Sequence, residues 1–90
     1  MKLVWEDAAK ADREEIFAYV EQHNPAAADM LDALFLKRAR HLVSCPYLGR
    51  TGRLAGTREL VVNPRYILVY SLSKHAVRIL RVLHTARQWP

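Results

Sequence analysis

Arg58-Glu59-Leu60-Val61-Val62, Asn63-Pro64-Arg65, Tyr66-Ile67-Leu68-Val69-Tyr70-Ser71-Leu72, Ser73-Lys74-His75 and Ala76-Val77-Arg78-Ile79-Leu80-Arg81-Val82-Leu83-His84 run without a break through the last third of this 90-residue chain. Three runs rich in β-branched and aromatic residues alternate with two clusters of turn formers, a pattern that predicts strands at Arg58–Val62, Tyr66–Leu72 and Ala76–His84. Asn63-Pro64 turns the chain because the Asn side chain bonds local backbone and Pro fixes its own φ. Connections this short make a three-stranded antiparallel meander. Tyr66–Leu72 is the most apolar run and is expected at its centre. Arg78 and Arg81 have opposite parity on the last strand, so at most one is expected on the core-facing side.

Upstream, Tyr47 to Thr57 holds Gly49, Gly52 and Gly56 with no hydrophobic periodicity and reads as a loop. Ala8 to His23 has helical spacing, with Ala9, Ile16 and Val20 on one face and Asp12, Glu14 and Glu15 in the early turns, where the helix dipole favours anions. Asn24-Pro25 ends that helix and starts the next, Asn24 as N-cap and Pro25 at the first helical position. The second helix should reach Val43 before Pro46, with Ala27, Leu31, Leu34, Phe35 and Leu42 toward the core. So short a link predicts an antiparallel helical hairpin. Lys2 to Trp5 reads as a short N-terminal strand, and Thr85 to Pro90 as a tail. The expected fold is therefore α+β: an N-terminal strand, the helical hairpin on one sheet face, then the meander, with the other face open and carrying arginines.

Ninety residues and a hydrophobic content of 51% fit one domain, residues 1–90, with a single core. No apolar run reaches the roughly 20 residues a bilayer requires. The start Met1-Lys2-Leu3-Val4-Trp5 is unlike a secretory signal, so a soluble cytoplasmic protein without membrane association is expected. Cys45 is the only cysteine, excluding an internal disulfide, and is expected to act as a small core hydrophobe. His23, His41, His75 and His84 have no metal-ligand spacing, so neither metal nor cofactor is expected. The net charge of +5 is unevenly spread. Residues 1–32 carry eight acids against Lys2, Lys10 and Arg13, or −5; from residue 33 onward Glu59 stands alone against eleven Lys and Arg, or +10. That half should attract nucleic acid or an acidic protein segment.

This order of elements, at this length, resembles the RelE/ParE family of bacterial type II toxin–antitoxin systems along essentially the whole chain. The resemblance is carried by Gly49-Arg50-Thr51-Gly52-Arg53 with Gly56-Thr57-Arg58-Glu59-Leu60, by Tyr66-Ile67-Leu68-Val69-Tyr70, and by Ile79-Leu80-Arg81-Val82-Leu83-His84 with Arg87-Gln88-Trp89. It implies a growth-arresting toxin, of the kind associated with plasmid stabilisation, silenced by a cognate antitoxin. RelE-like members cleave messenger RNA on the ribosome; ParE-like members poison DNA gyrase and are not nucleases. RelE-like toxins place an arginine where this chain has Ile67. Relatives of the YoeB kind use a glutamate where Leu48 stands and a C-terminal histidine–tyrosine pair where this chain ends Arg87-Gln88-Trp89-Pro90. These departures remove a recognisable general base and acid, so the resemblance places gyrase first as target. Ribosome-dependent RNA cleavage, metal-independent, is the alternative, and a plain nucleic-acid-binding module the third.

If RNA chemistry operates, its candidates come from Arg58, Arg65, Arg81, His84 and Arg87, which can stabilise a phosphorane, with His84 the residue type suited to proton exchange at neutral pH. Target binding is expected from Arg50, Arg53, Arg58, Arg81, Arg87 and Trp89, the glycine-punctuated loop letting backbone and side chain both meet phosphate. Glu59, on the opposite face from Arg58, is expected to pair with a neighbouring arginine. Antitoxin binding is expected at Trp5, Tyr19 and Leu36, along a groove beside the hairpin. Changing Arg81 and Arg87 to Ala is expected to abolish toxicity and leave the fold intact.

Overall fold

In the computed structural model, which describes all 90 residues, the elements are β1 (Lys2–Trp5), α1 (Asp7–Glu21), α2 (Pro25–Ser44), β2 (Arg50–Thr51), β3 (Arg58–Asn63), β4 (Tyr66–Leu72) and β5 (Ala76–His84). The strands form one sheet in the order β1-β5-β4-β3-β2. The meander is antiparallel throughout, and the most apolar strand, β4, lies at its centre as its composition implies. β1 joins the far edge parallel to β5, a crossover that the helical hairpin makes possible. The glycine-rich stretch differs from expectation: Arg50 and Thr51 pair with Glu59 and Arg58, so the sheet has five strands where four were read.

Both helices cover one sheet face. Ala9 of α1 and Phe35, Ala39 and Leu42 of α2 bury against Leu60, Leu68, Tyr70, Val77, Ile79 and Val82. The small Ala9 and Ala39 let helix backbone approach the sheet closely. Asn24 caps α2 as predicted, its Oδ1 accepting from Ala27 N–H at 3.1 Å, with Pro25 opening the helix. Arg13 locks the hairpin by donating to both Asp32 oxygens at 3.0 and 2.9 Å, and its guanidinium lies 4.6 Å from the Trp5 ring centroid. Cys45 is exposed at the C-cap of α2, not in the core. The helix stops there ahead of Pro46, and the chain runs on into β2.

Two bulges alter the face assignments. Val61 pairs with Ile67 and Asn63 with Tyr66, leaving Val62 as an extra residue; Asn63 Oδ1 then accepts from Arg65 and Tyr66 N–H at 2.8 and 3.0 Å, closing the expected turn. On β5, Tyr70 pairs with Ile79 and Val69 with Arg81, so Leu80 is extra. The bulge cancels the opposite parity of Arg78 and Arg81, and the expectation that at most one of them faces the core is met with neither doing so. Their partners Ser71 and Val69 are two residues apart on β4, which places both arginines on the face away from the helices. That face is also less open than expected. Ile67, Val69 and Leu83 form a second buried cluster on it, and Leu80 and the tail residue Trp89 pack over them.

Candidate functional site

β1 accompanies β5 only from Ala76 to Ile79, so the outer edge of β5 is unpaired from Leu80 onward. Asp12 fills the gap. The spacing Ala9, Asp12, Ile16 puts this carboxylate on the buried face of α1, and its Oδ2 accepts from Val82 N–H at 2.9 Å. The same carboxylate takes two bonds from Arg81, Nε at 2.8 Å and Nη2 at 3.0 Å. These bonds raise the Arg81 pKa above the ordinary arginine value, outweighing the burial that disfavours its charge. The Arg81 guanidinium also lies 5.7 Å from the Trp89 ring centroid. Arg81 is thus a structural tie between α1, β5 and the tail, and not a free surface cation.

Beside this tie, a groove of about 480 Å³ opens between α1 and the ends of β4 and β5. Arg65, His84 and Arg87 line it from the sheet and tail, and Asp12, Glu15 and Tyr19 from the helix. A turn bridges its base: Thr85 N–H donates to Arg65 O at 2.7 Å, and Ala86 N–H to His84 Nδ1 at 3.1 Å. With Nδ1 occupied as acceptor, the neutral His84 ring carries its proton on Nε2. Of the five residues proposed for RNA chemistry, the structure brings Arg65, His84 and Arg87 together, with Arg81 adjacent through Asp12. Arg58 does not join them. It pairs with Tyr70, whereas Arg65 lies in the β3–β4 turn at the opposite end of these strands.

A second basic region surrounds β2. Glu59 is only 1% exposed, and its carboxylate accepts from Arg50 Nη2, from the Arg53 guanidinium, and from Arg53 N–H at 3.0 Å. Burial alone would raise the Glu59 carboxyl, but the bonds from Arg53 and Arg50 outweigh it and hold it below the ordinary glutamate value. Arg58 turns the other way: its guanidinium donates to Gly49 O, with Nε at 3.1 Å, and lies 5.2 Å from the Tyr47 ring centroid. Gly49 is obligatory at this crossing, because a Cβ there would meet the Tyr70 hydroxyl at 2.7 Å and Glu59 O at 2.8 Å. The Tyr70 hydroxyl is fixed in turn, accepting from Gly49 N–H and donating to Pro46 O. Arg50, Arg53 and Arg58 are therefore held around one sheet edge, whereas Arg87 lies with Arg65 and His84 at the other end of β4.

The three side chains expected to meet the antitoxin are not contiguous. Trp5 lines a groove of about 430 Å³ between the helices with Arg13, Phe17 and Asp32. Tyr19, 64% exposed, stands on the rim of the His84 groove, and Leu36 is half-buried on α2 in neither. Trp89 is half-buried on the second cluster, and its buried Nε1 has no hydrogen-bond partner. No three His, Cys, Asp or Glu side chains come together in an arrangement able to hold a metal ion, and no helix is long and apolar enough to cross a membrane. Asp12 is the functional-looking residue that sequence reasoning assigned only to the helix dipole. Its spacing on the apolar face of α1 is the signal that could have found it.

Comparison with known proteins gives a consistent result. Residues 3–89 match the model of the ParE toxin of type II toxin–antitoxin system, parDE. A putative toxin, Y4kP, from Sinorhizobium fredii is 38% identical over 90 residues, which span 99% of this chain and 93% of that one. Toxin RelE2 from Caulobacter vibrioides is 36% identical over 86 residues, spanning 96% and 97%. Among solved structures, that of a chromosomal ParDE system from P. aeruginosa superposes with a TM-score of 0.83 at 22% identity, covering 93% of this chain and 95% of that one. A match of this extent, with curated toxins above 30% identity and the same α+β architecture, establishes that the chain belongs to the RelE/ParE family of type II toxin–antitoxin toxins.

Proposed function

We propose that this toxin arrests growth by acting on DNA gyrase in the ParE manner and is silenced by a cognate antitoxin. The observation that carries this reading is the condition of the residues on which RNA cleavage would depend. Such cleavage needs a base for the 2′-hydroxyl, charge stabilisation at the phosphorane and an acid for the leaving oxygen. Arg81 is committed to Asp12. Arg65, His84 and Arg87 share their groove with the Glu15 carboxylate, which opposes the approach of a phosphate. Ile67 is buried in the second apolar cluster and Leu48 is an exposed loop leucine, so the positions at which RNA-cutting relatives carry arginine and glutamate supply neither charge nor base here.

On this reading Arg50, Arg53, Arg58, Arg87 and Trp89 face the target, in the cytoplasm where gyrase works, and Trp5, Tyr19 and Leu36 face the antitoxin. The similarity to a ParDE system supports the antitoxin as partner. The RelE-like alternative retains one supporting feature, the convergence of Arg65, His84 and Arg87, together with the relative named Toxin RelE2. Purified toxin incubated with gyrase and supercoiled plasmid should trap cleaved gyrase–DNA complexes, and with ribosomes and messenger it should leave the message intact. Codon-positioned cuts without trapped gyrase would replace this reading by the RelE-like one. Absence of any growth defect on expression would leave only a nucleic-acid-binding module.

A further inference from the structure

The β2–β3 edge combines three properties that one partner satisfies together. Its charge is nearly unopposed: Arg38 of α2, Arg50, Arg53 and Arg58 surround the edge, and the carboxylate among them, Glu59, is buried with its oxygens already bonded. The arginines are also pre-organised. Glu59 anchors Arg50 and Arg53 from below, yet their side chains stay 61% and 42% exposed, which leaves outward N–H groups for a second anion. Finally, apolar and aromatic surface lies between the charges. Leu48 and Val61 flank a shallow groove of about 290 Å³ with Arg38 and Arg50 on its walls, and Tyr47 stands exposed beside Arg58.

We propose that this edge docks single-stranded DNA, phosphates on the arginines and base faces on Tyr47 and Leu48. A duplex would offer the phosphates but keep its base faces stacked inside. An acidic peptide would offer carboxylates but a planar group for Tyr47 only where it also carries an aromatic side chain, whereas every nucleotide brings a phosphate and a planar base together. Single strands bind where a cationic groove tracks the backbone and exposed aromatics receive the bases, and this surface has both parts. The proposal rests on the gyrase reading, which supplies DNA as the nucleic acid present at the target. It assigns the arginines of that target face to the DNA, not to the gyrase polypeptide.

The test is fluorescence anisotropy of the purified 90-residue toxin with a labelled thymidine 12-mer, without gyrase, so its failure is separate from failure to trap gyrase complexes. Three contacted phosphates should give a slope of log affinity against log salt of roughly −2, since each contributes about −0.7 on a single strand. The pair Arg50→Ala and Arg53→Ala should lower that slope by about 1.4 units. Because the pair leaves Glu59 buried with only the residue-53 backbone N–H as partner, Arg50→Lys with Arg53→Lys is the companion variant, expected to keep the slope. Tyr47→Ala should weaken binding about tenfold with the slope unchanged, and Lys10→Ala, on α1 at the β5 side of the sheet, should have no effect. Lack of binding at low salt overturns the proposal. So does a slope that survives loss of both arginines in a folded variant. Tighter binding of a uridine 12-mer, a duplex of equal length or polyglutamate also overturns it, and the uridine result points back to the RNA-cutting alternative.

Discussion

Removing the Asp12 carboxylate strips the Arg81 guanidinium of both its acceptors and leaves Val82 N–H unpaired on the bare edge of β5. Breaking one side of a buried ion pair costs about 3–5 kcal/mol. Arg81 retains some solvent contact, so Asp12→Ala should lie at the lower end, about 3 kcal/mol, read as a shift of the urea midpoint. Asp12→Asn keeps an acceptor for Val82 and should cost less. Arg81→Ala should destabilise as well, because it leaves Asp12 buried with one remaining partner. A toxicity loss in that variant would therefore mix folding with function, and Arg87→Ala is the cleaner probe of the target face. Equal urea midpoints for wild type and Asp12→Ala would show that the pair carries no stability. At this scale the sequence exposed half of the pair. Asp12 is legible from its place on the apolar face of α1, but Arg81 is not, since its partner lies 69 residues away and the Leu80 bulge that re-aims it leaves no periodic trace.

Among the elements, those with local signals were readable and those defined by pairing were not. The α1–α2 hairpin follows from Asn24-Pro25 and helical spacing alone. Asn24→Ala should cost about 1 kcal/mol in chemical denaturation by orphaning Ala27 N–H, and no measurable loss would mean the cap is solvent-compensated. β2 left no such signal, because two residues cannot display a period, and what fixes it is Glu59 on the neighbouring strand. This clamp makes stability depend on pH in a definite direction. The folded Glu59 carboxyl is held below the ordinary glutamate range, near pH 4, so as pH falls through that range the unfolded chain takes up a proton that the folded one refuses. The contribution is complete above that range and is lost as pH falls toward the lowered folded value. Urea midpoints measured from pH 6 to pH 3 should fall more steeply for wild type than for Glu59→Gln; parallel curves would show that other carboxylates carry the acid sensitivity.

Across the whole molecule the folding of −5 and +10 segments together does not mix the charges evenly. The acids of α1 line the helical side and one wall of the His84 groove, whereas the β2–β3 edge is cationic with its single acid buried. Sequence alone showed the imbalance and the family-like segments. It anticipated an arginine partner for Glu59 but not that Asp12, Asp32 and Glu6 each neutralise one as well, nor that Trp89 packs on a second buried cluster on the face expected to be bare. An antitoxin that silences the toxin by covering its target face would meet two surfaces of different kind: apolar positions such as Trp5 and Tyr19 near the acidic helix, and the arginines around β2. If its segment over the arginines is acidic, long-range attraction should speed encounter without much changing how tightly the apolar contacts hold. Stopped-flow association of toxin and antitoxin should then slow steeply between 0.05 and 0.5 M salt, conditions under which the screening length falls from about 14 to 4 Å, while dissociation changes little. Arg50→Lys with Arg53→Lys should preserve that salt dependence and Glu-for-Arg reversal at either position should flatten it. An association rate indifferent to salt would place the antitoxin on the helical surface alone and leave the arginine edge free for the target in the complex.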